Sequence, residues 1–253
     1  MTGWPVGVDR VVFDSIDSTN AEAARRVAAG LTAPLWIFAS EQTAGVGRRG
    51  RVWATPKGNF AASVVIPLKE PVQAAALRSF VAANALYDAC GVTQGSASGL
   101  ALKWPNDVLF RDRKMAGILL ETLGRGPSHM CIGFGVNLNS DPASENIEQG
   151  ALAPIRLSDH ADAPIDPLEF LTLLAAHFDV WNRSFEVAGF APNRKVWMER
   201  AARIGEFITA RMGTRSVTGI FETVDENGML VLQAPDERHL IAAADIFFDE
   251  TGI

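Results

Sequence analysis

Seven consecutive residues, Gly45-Val46-Gly47-Arg48-Arg49-Gly50-Arg51, hold three glycines and three arginines, and Val52-Trp53 follow. Glycine lacks Cβ and opens positive φ, so such a backbone can approach a ligand closely. Arginine adds permanently charged, forked donors that match phosphate or carboxylate oxygens. Successive N–H groups in a turn of this kind form an anion-binding concavity. The chemistry on offer is capture of an anion. The competing readings are a solvated basic loop and a nucleic-acid patch. Further along, Lys103-Trp104-Pro105-Asn106-Asp107 brings together a cation, an amide and a carboxylate, and Lys114-Met115-Ala116-Gly117 opens an apolar run with another lysine. A lysine there either snorkels to solvent or is held over a site. Ser18-Thr19-Asn20 reads first as helix capping, although a helix N-terminus also points free N–H groups and hydroxyls at whatever precedes it.

Composition narrows these readings. The chain has 253 residues, 48% of them hydrophobic, enough for one sizeable core or a core with a small appended domain. Its net charge of −6 makes the basic loop a local exception, which favours a small anionic ligand over a polyanion. Cys90 and Cys131 lack C-x-x-C spacing and no signal-like apolar run opens the chain, so the expectation is a reduced, cytoplasmic protein. No apolar stretch reaches the roughly 18 residues of a membrane span. His129, His160, His177 and His239 are scattered, with no metal-ligand spacing.

The elements that must position these groups follow from periodicity and turn signals. A strand is expected over 11–13, then a capping box, Thr19-x-x-Glu22, starting a helix at Asn20 that ends at Gly30. Strands over 35–39 and 60–66 flank the arginine loop, so the loop joins two strands instead of opening a helix as a nucleotide loop does. A helix over 74–90 precedes strands over 100–104, 108–110, 118–122 and 130–136. Residues 139–155 are polar and read as a surface loop or a lid. Amphipathic helices are expected over 167–186 and 192–202. From about Ile204 five short strands, over 207–211, 216–222, 229–233, 239–241 and 246–248, suggest a small barrel, too plain to carry chemistry alone.

Taken together and in order, Asp17-Ser18-Thr19-Asn20, the stretch from Glu41-Gln42 to Trp53, Lys103 to Asp107, Lys114 to Leu119 and Gly133-x-Gly135-x-Asn137 resemble the biotin protein ligase family over nearly the whole chain. The resemblance implies an α+β fold: a mixed sheet flanked by helices, like class II synthetases, over 1–204, and an SH3-like domain over 205–253. It implies that biotin and ATP, with Mg²⁺, form biotinyl-5′-AMP, and that biotin then passes to a lysine of a biotin carboxyl carrier domain. It further implies biotin contacts from Ser18, Thr19, Gln42, Gly45, Val46, Arg48, Trp53, Lys114 and Gly117. ATP contacts would come from Arg48, Arg51, Asn106, Lys114 and Asn137, with Lys114 and Arg48 catalytic and Asp107 placing Mg²⁺. The arginine loop and residues 139–153 are expected to order on the adenylate.

The sequence departs from the family pattern in three places. A strand and helix begin by residue 20, leaving no room for the DNA-binding winged helix of some members, so no DNA partner is expected. Val46 stands where some relatives carry another arginine. No Trp, Phe or Tyr lies between Asn139 and Pro154, so that loop offers no aromatic ring to stack on adenine. Lipoate ligases share the adenylate logic, but the arginine run ending at Trp53 and Lys103 to Asp107 favour biotin. A homodimer is compatible with the resemblance.

Overall fold

The computed structural model describes residues 3–140, 152–161 and 163–248. Strands β1 (Asp9–Phe13) and β2 (Leu35–Ala39) run parallel, joined through helix α1 (Thr19–Ala28). Next come β3 (Phe60–Pro67), β4 (Leu100–Lys103), β5 (Asp107–Phe110), β6 (Arg113–Leu123) and β7 (His129–Val136). All remaining pairings are antiparallel, and the sheet order is β1-β2-β3-β7-β6-β5-β4.

Alternation along the central strands sorts the two faces. Trp36, Phe38, Phe60, Val64 and Phe134 point into the large core, while Leu35, Ile37, Val65 and Cys131 point the other way against Ala23 of α1. The large core is covered by α2 (Val72–Ala75), α3 (Arg78–Thr93), α4 (Pro167–Ala188) and α5 (Phe190–Arg200). Phe178 and Phe170 of α4 meet Trp36 and Phe60 edge-on at 5.8 and 5.1 Å. Each such side chain stabilises the fold by about 1.5–3 kcal/mol through burial. Among the described residues the helix on the other face is α1, and a ligand trough opens beside it. Among the described residues no helix is long and apolar enough to cross a membrane.

Two local expectations are corrected. The α1 cap is Ser18, whose Oγ accepts from Ala21 N at 3.5 Å, so the helix starts at Thr19. The capping box does not form, because Glu22 is drawn to Arg25 and Arg26 at 2.7 and 2.6 Å. The expected helix over 74–90 is two helices: α2 begins behind Pro71, and α3 continues to Thr93. Most of the candidate lid, residues 141–151, lies outside the described residues.

The C-terminal strands β8 (Phe207–Met212), β9 (Arg215–Val224), β10 (Leu230–Gln233), β11 (Arg238–Ile241) and β12 (Asp245–Phe248) form an antiparallel sheet ordered β11-β10-β9-β8-β12. Its buried side chains, among them Phe221, Leu230 and Ile246, belong to the same core as the large sheet. Trp104 Nε1 donates to Gly228 O at 3.2 Å, and Arg194 Nη2 to Thr223 Oγ1 at 3.2 Å. Strand β12 lies at an edge of this sheet, on the side of the arginine loop.

Candidate active site

The floor of the site is a patch of small residues in register. Ser63 pairs with Gly133, Ala61 with Gly135, and Gly135 with Gly117. Their neighbours Ala62, Phe134 and Ala116 face the large core, so this patch faces α1. Glycine inside a strand marks close approach by another group. Here that group is Trp53: a Cβ on Gly135 would stand 2.3 Å from its Nε1, and one on Gly117 3.4 Å from the ring. A Cβ on Gly133 would meet Asn20 Oδ1 at 2.4 Å. The resulting cavity has a volume of about 600 Å³.

One end of the trough is polar. Thr19 N and Oγ1 both donate to Gln42 Oε1, at 2.8 and 3.1 Å, and Gln42 Nε2 donates to Thr55 Oγ1 at 3.2 Å. The Gln42 carbonyl is therefore committed, and one N–H of its amide remains for a ligand acceptor. Ser63 Oγ lies 2.7 Å from Thr19 Oγ1 and 2.5 Å from Asn20 Oδ1, and Asn20 Nδ2 donates to Glu121 Oε2 at 2.6 Å. Asp17, in front of the helix, accepts from Arg25 and from Ser18 N; the Arg25 pairing pulls its carboxyl down to about 2.

The arginine loop is a hairpin over the trough. Val46 bridges Val52, Gly47 N donates to Arg51 O at 2.7 Å, and Trp53 N donates to Gly45 O at 2.9 Å. A Cβ on Gly45 would lie 2.4 Å from Trp53 O, so this glycine lets the hairpin close and does not itself line the cavity. Arg48 is tucked inward: Nη1 donates to Asn106 Oδ1 at 3.2 Å and Nη2 to Ala244 O at 3.3 Å. Burial pulls its guanidinium down from the ordinary value, against the pull of Asp245 and Asp107, yet arginine stays charged. Asn106 also donates to Ile118 O at 2.6 Å, so its amide joins the loop to β6.

Lys114 is fixed at both ends. Its N donates to Ala153 O at 2.8 Å, and its carbonyl accepts from Ile155 N at 3.0 Å. Its Nζ stands 2.8 Å from Asp107 Oδ1 and 5.7 Å from the Trp53 ring centre. By distance this is an ion pair, but it lacks hydrogen-bond alignment, which leaves that buried carboxylate oxygen without a hydrogen-bond partner. Asn137 donates to Lys114 O at 3.4 Å. Burial lowers the Lys103 amine, with Asp107 acting against it. Among the described lining residues, Arg48, Arg51, Lys103 and Lys114 face only Asp107 and Asp245, a local positive excess in a chain of net charge −6.

Every expected site residue except Gly45 lines this one cavity. Lys103 and Asn20 were visible in the sequence within quoted motifs, although no site role attached to either. Ser63 and Asp245 were missed. Ser63 sits mid-strand with no motif, and Asp245 lies on a strand that carries no other chemistry.

An apolar trough with a polar end, opening onto converging cations, suits an acid-activating enzyme that uses a nucleotide. The profile of the Biotin/lipoate A/B protein ligase family matches residues 12–137, and that of the Biotin protein ligase C terminal domain matches 204–249. The chain is 49% identical over 234 residues to a biotin–[acetyl-CoA-carboxylase] ligase of Paracoccus denitrificans, covering 92% of this chain and 97% of that one. It is 31% identical over 236 residues to the enzyme of that name from Mycobacterium tuberculosis, covering 90% and 85%. In fold it is similar to a biotin protein ligase from Aquifex aeolicus solved with biotin and ATP, with a TM-score of 0.78, 21% identity and coverage of 94% and 97%. The chain belongs to the biotin protein ligase family.

Proposed function

We propose that the cavity holds biotin along the glycine floor with its carboxylate beside the α-phosphate of ATP. As a member of this family the enzyme activates biotin to biotinyl-5′-AMP and transfers it to a lysine. A biotin carboxylate oxygen attacks the α-phosphorus, and pyrophosphate leaves. The lysine amine of a biotin carboxyl carrier domain then attacks the acyl carbon, and AMP leaves.

The observation that carries this reading is the convergence of Lys114, Arg48 and Arg51 on the same cavity that the polar Ser18, Thr19 and Gln42 line. Ser18, Thr19 and Gln42 read the ureido ring, with the free Gln42 N–H directed to its carbonyl. Val46, Trp53 and Gly117 enclose the apolar body, and Gly45 shapes the hairpin. Lys114 offsets charge on the reacting oxygens. Arg48 and Arg51 hold the phosphate, Asn137 reads adenine, and Asn106 acts on the nucleotide side by holding Arg48. Mg²⁺ enters with ATP. Asp107, paired with Lys114 through Oδ1, is the carboxylate that would help hold it, since Mg²⁺ commonly binds through one or two carboxylates plus substrate phosphates. The catalytic part spans 1–204 and the C-terminal part 205–253. The enclosed cations and the acidic net charge argue against a duplex partner. The cytoplasm suits its two free, buried thiols.

Incubation with biotin, Mg-ATP and a biotin carrier domain should add one biotin to the carrier by mass. Labelling with lipoic acid in its place, and none with biotin, would refute the reading. Gly135→Ala should raise the KM for biotin about tenfold, because the new methyl group displaces Trp53 from the floor. A KM within twofold of wild type would show that the indole tolerates the shift.

A further inference from the structure

Arg49 is the one arginine of the loop that does not line the cavity, yet its backbone is the strained one. Its φ of 57° is left-handed, a conformation strained for a non-glycine residue that persists where surrounding contacts hold it. The contact is with Asp245, the first residue of β12. Asp245 Oδ2 accepts from Arg49 Nη1 and also from Arg51 Nη2 at 2.8 Å. One residue earlier, Ala244 O takes Arg48 Nη2 at 3.3 Å. All three arginines are thus tied to one corner of the C-terminal sheet. The Asp245 side chain is 15% exposed, against 42% for Arg49 and 45% for Arg51, so the carboxylate is held on the protein side of a partly exposed pairing. Asp245 is itself anchored by its register with Arg211 of β8.

We propose that Asp245 is a positioning residue for adenylate retention. It reaches across from the C-terminal domain, holds Arg49 in the left-handed turn, and thereby keeps the loop tip closed with Arg48 aimed into the cavity. It contacts no reacting atom. The C-terminal sheet supplies this anchor and so completes the site. The proposal rests on the reading that the cavity retains biotinyl-5′-AMP.

The test uses the full chain as wild type, Asp245→Asn, Asp245→Glu, Arg49→Ala and the double variant Asp245→Asn/Arg49→Ala. Adenylate is formed from biotin and Mg-ATP, and its escape is followed after rapid dilution, with thermal unfolding run alongside. Escape should be about tenfold faster in Asp245→Asn, faster also in Arg49→Ala, and near wild type in Asp245→Glu. The double variant should release adenylate no faster than Asp245→Asn alone, a non-additivity that general destabilisation does not produce. Unchanged or slower escape in Asp245→Asn, or effects that multiply in the double variant, would overturn the proposal. Should Asp245→Asn fail to fold, Arg49→Ala on the exposed loop decides: wild-type retention there sinks the idea. If wild type forms no biotin-dependent adenylate, the functional reading itself falls, and the proposal with it.

Discussion

Lys114→Ala should slow adenylate formation by roughly a hundredfold to a thousandfold, about 3–4 kcal/mol, the usual cost of removing one preorganised donor from a developing charge. The sequence left two readings of this lysine, and the geometry around it favours the one held over a site. A snorkelling side chain runs out to water. Lys114 instead has its backbone clamped between Ala153 and Ile155 and its Nζ held between Asp107 and the Trp53 ring. The amine is thus placed before substrate arrives, with little reorganisation left for the transition state. Biotin binding alone should suffer less, because the contact strengthens as negative charge builds on the reacting oxygens. A purely structural lysine would cost about 0.5 kcal/mol of stability and leave the rate alone. Single-turnover adenylate formation at saturating biotin and ATP, with thermal unfolding alongside, makes the decision. A rate within about threefold of wild type corresponds to only about 0.65 kcal/mol of barrier and removes Lys114 from the mechanism.

The residues that contact one another locally were the legible ones. Continuous apolar runs over 35–39 and 60–66 marked the central strands, and these lie buried along their length as β2 and β3. The glycine–arginine run marked a tight loop, found here as a hairpin closed between Val46 and Val52, because the turn is formed by neighbours in the chain. The cap of α1 slipped by one residue because Ser18 and Thr19 are both capping types. The choice between them was made by Glu22, whose carboxylate pairs with Arg25 and Arg26 and so cannot complete the box. Asp245 was out of reach for a different reason. It lies 196 residues from Arg49 and 194 from Arg51, and nothing in a short β-edge sequence announces a partner at that distance. Ser63 was equally silent, because a serine in an apolar strand is read by composition alone, whereas its role comes from meeting Thr19 and Asn20 across the sheet.

Arg48→Gly should release the adenylate roughly tenfold to a hundredfold faster, in keeping with about 1.5–3 kcal/mol for a hydrogen bond to a charged group. In a flexible exposed loop the same change would be milder, since an untethered arginine spends part of its binding energy on becoming ordered. Here that ordering is already in place: Asn106 Oδ1 and Ala244 O hold the two terminal nitrogens from opposite sides. The fold should survive, with a loss on the order of 1–2 kcal/mol from those two bonds. Arg48→Lys should recover little, because a single ammonium cannot span both acceptors and still face a phosphate. Adenylate formed on the enzyme and then diluted gives the escape rate directly, and melting curves of the three proteins separate retention from stability. Wild-type retention in Arg48→Gly, or full recovery in Arg48→Lys, would mean that the guanidinium braces the hairpin and makes no contact that holds the intermediate.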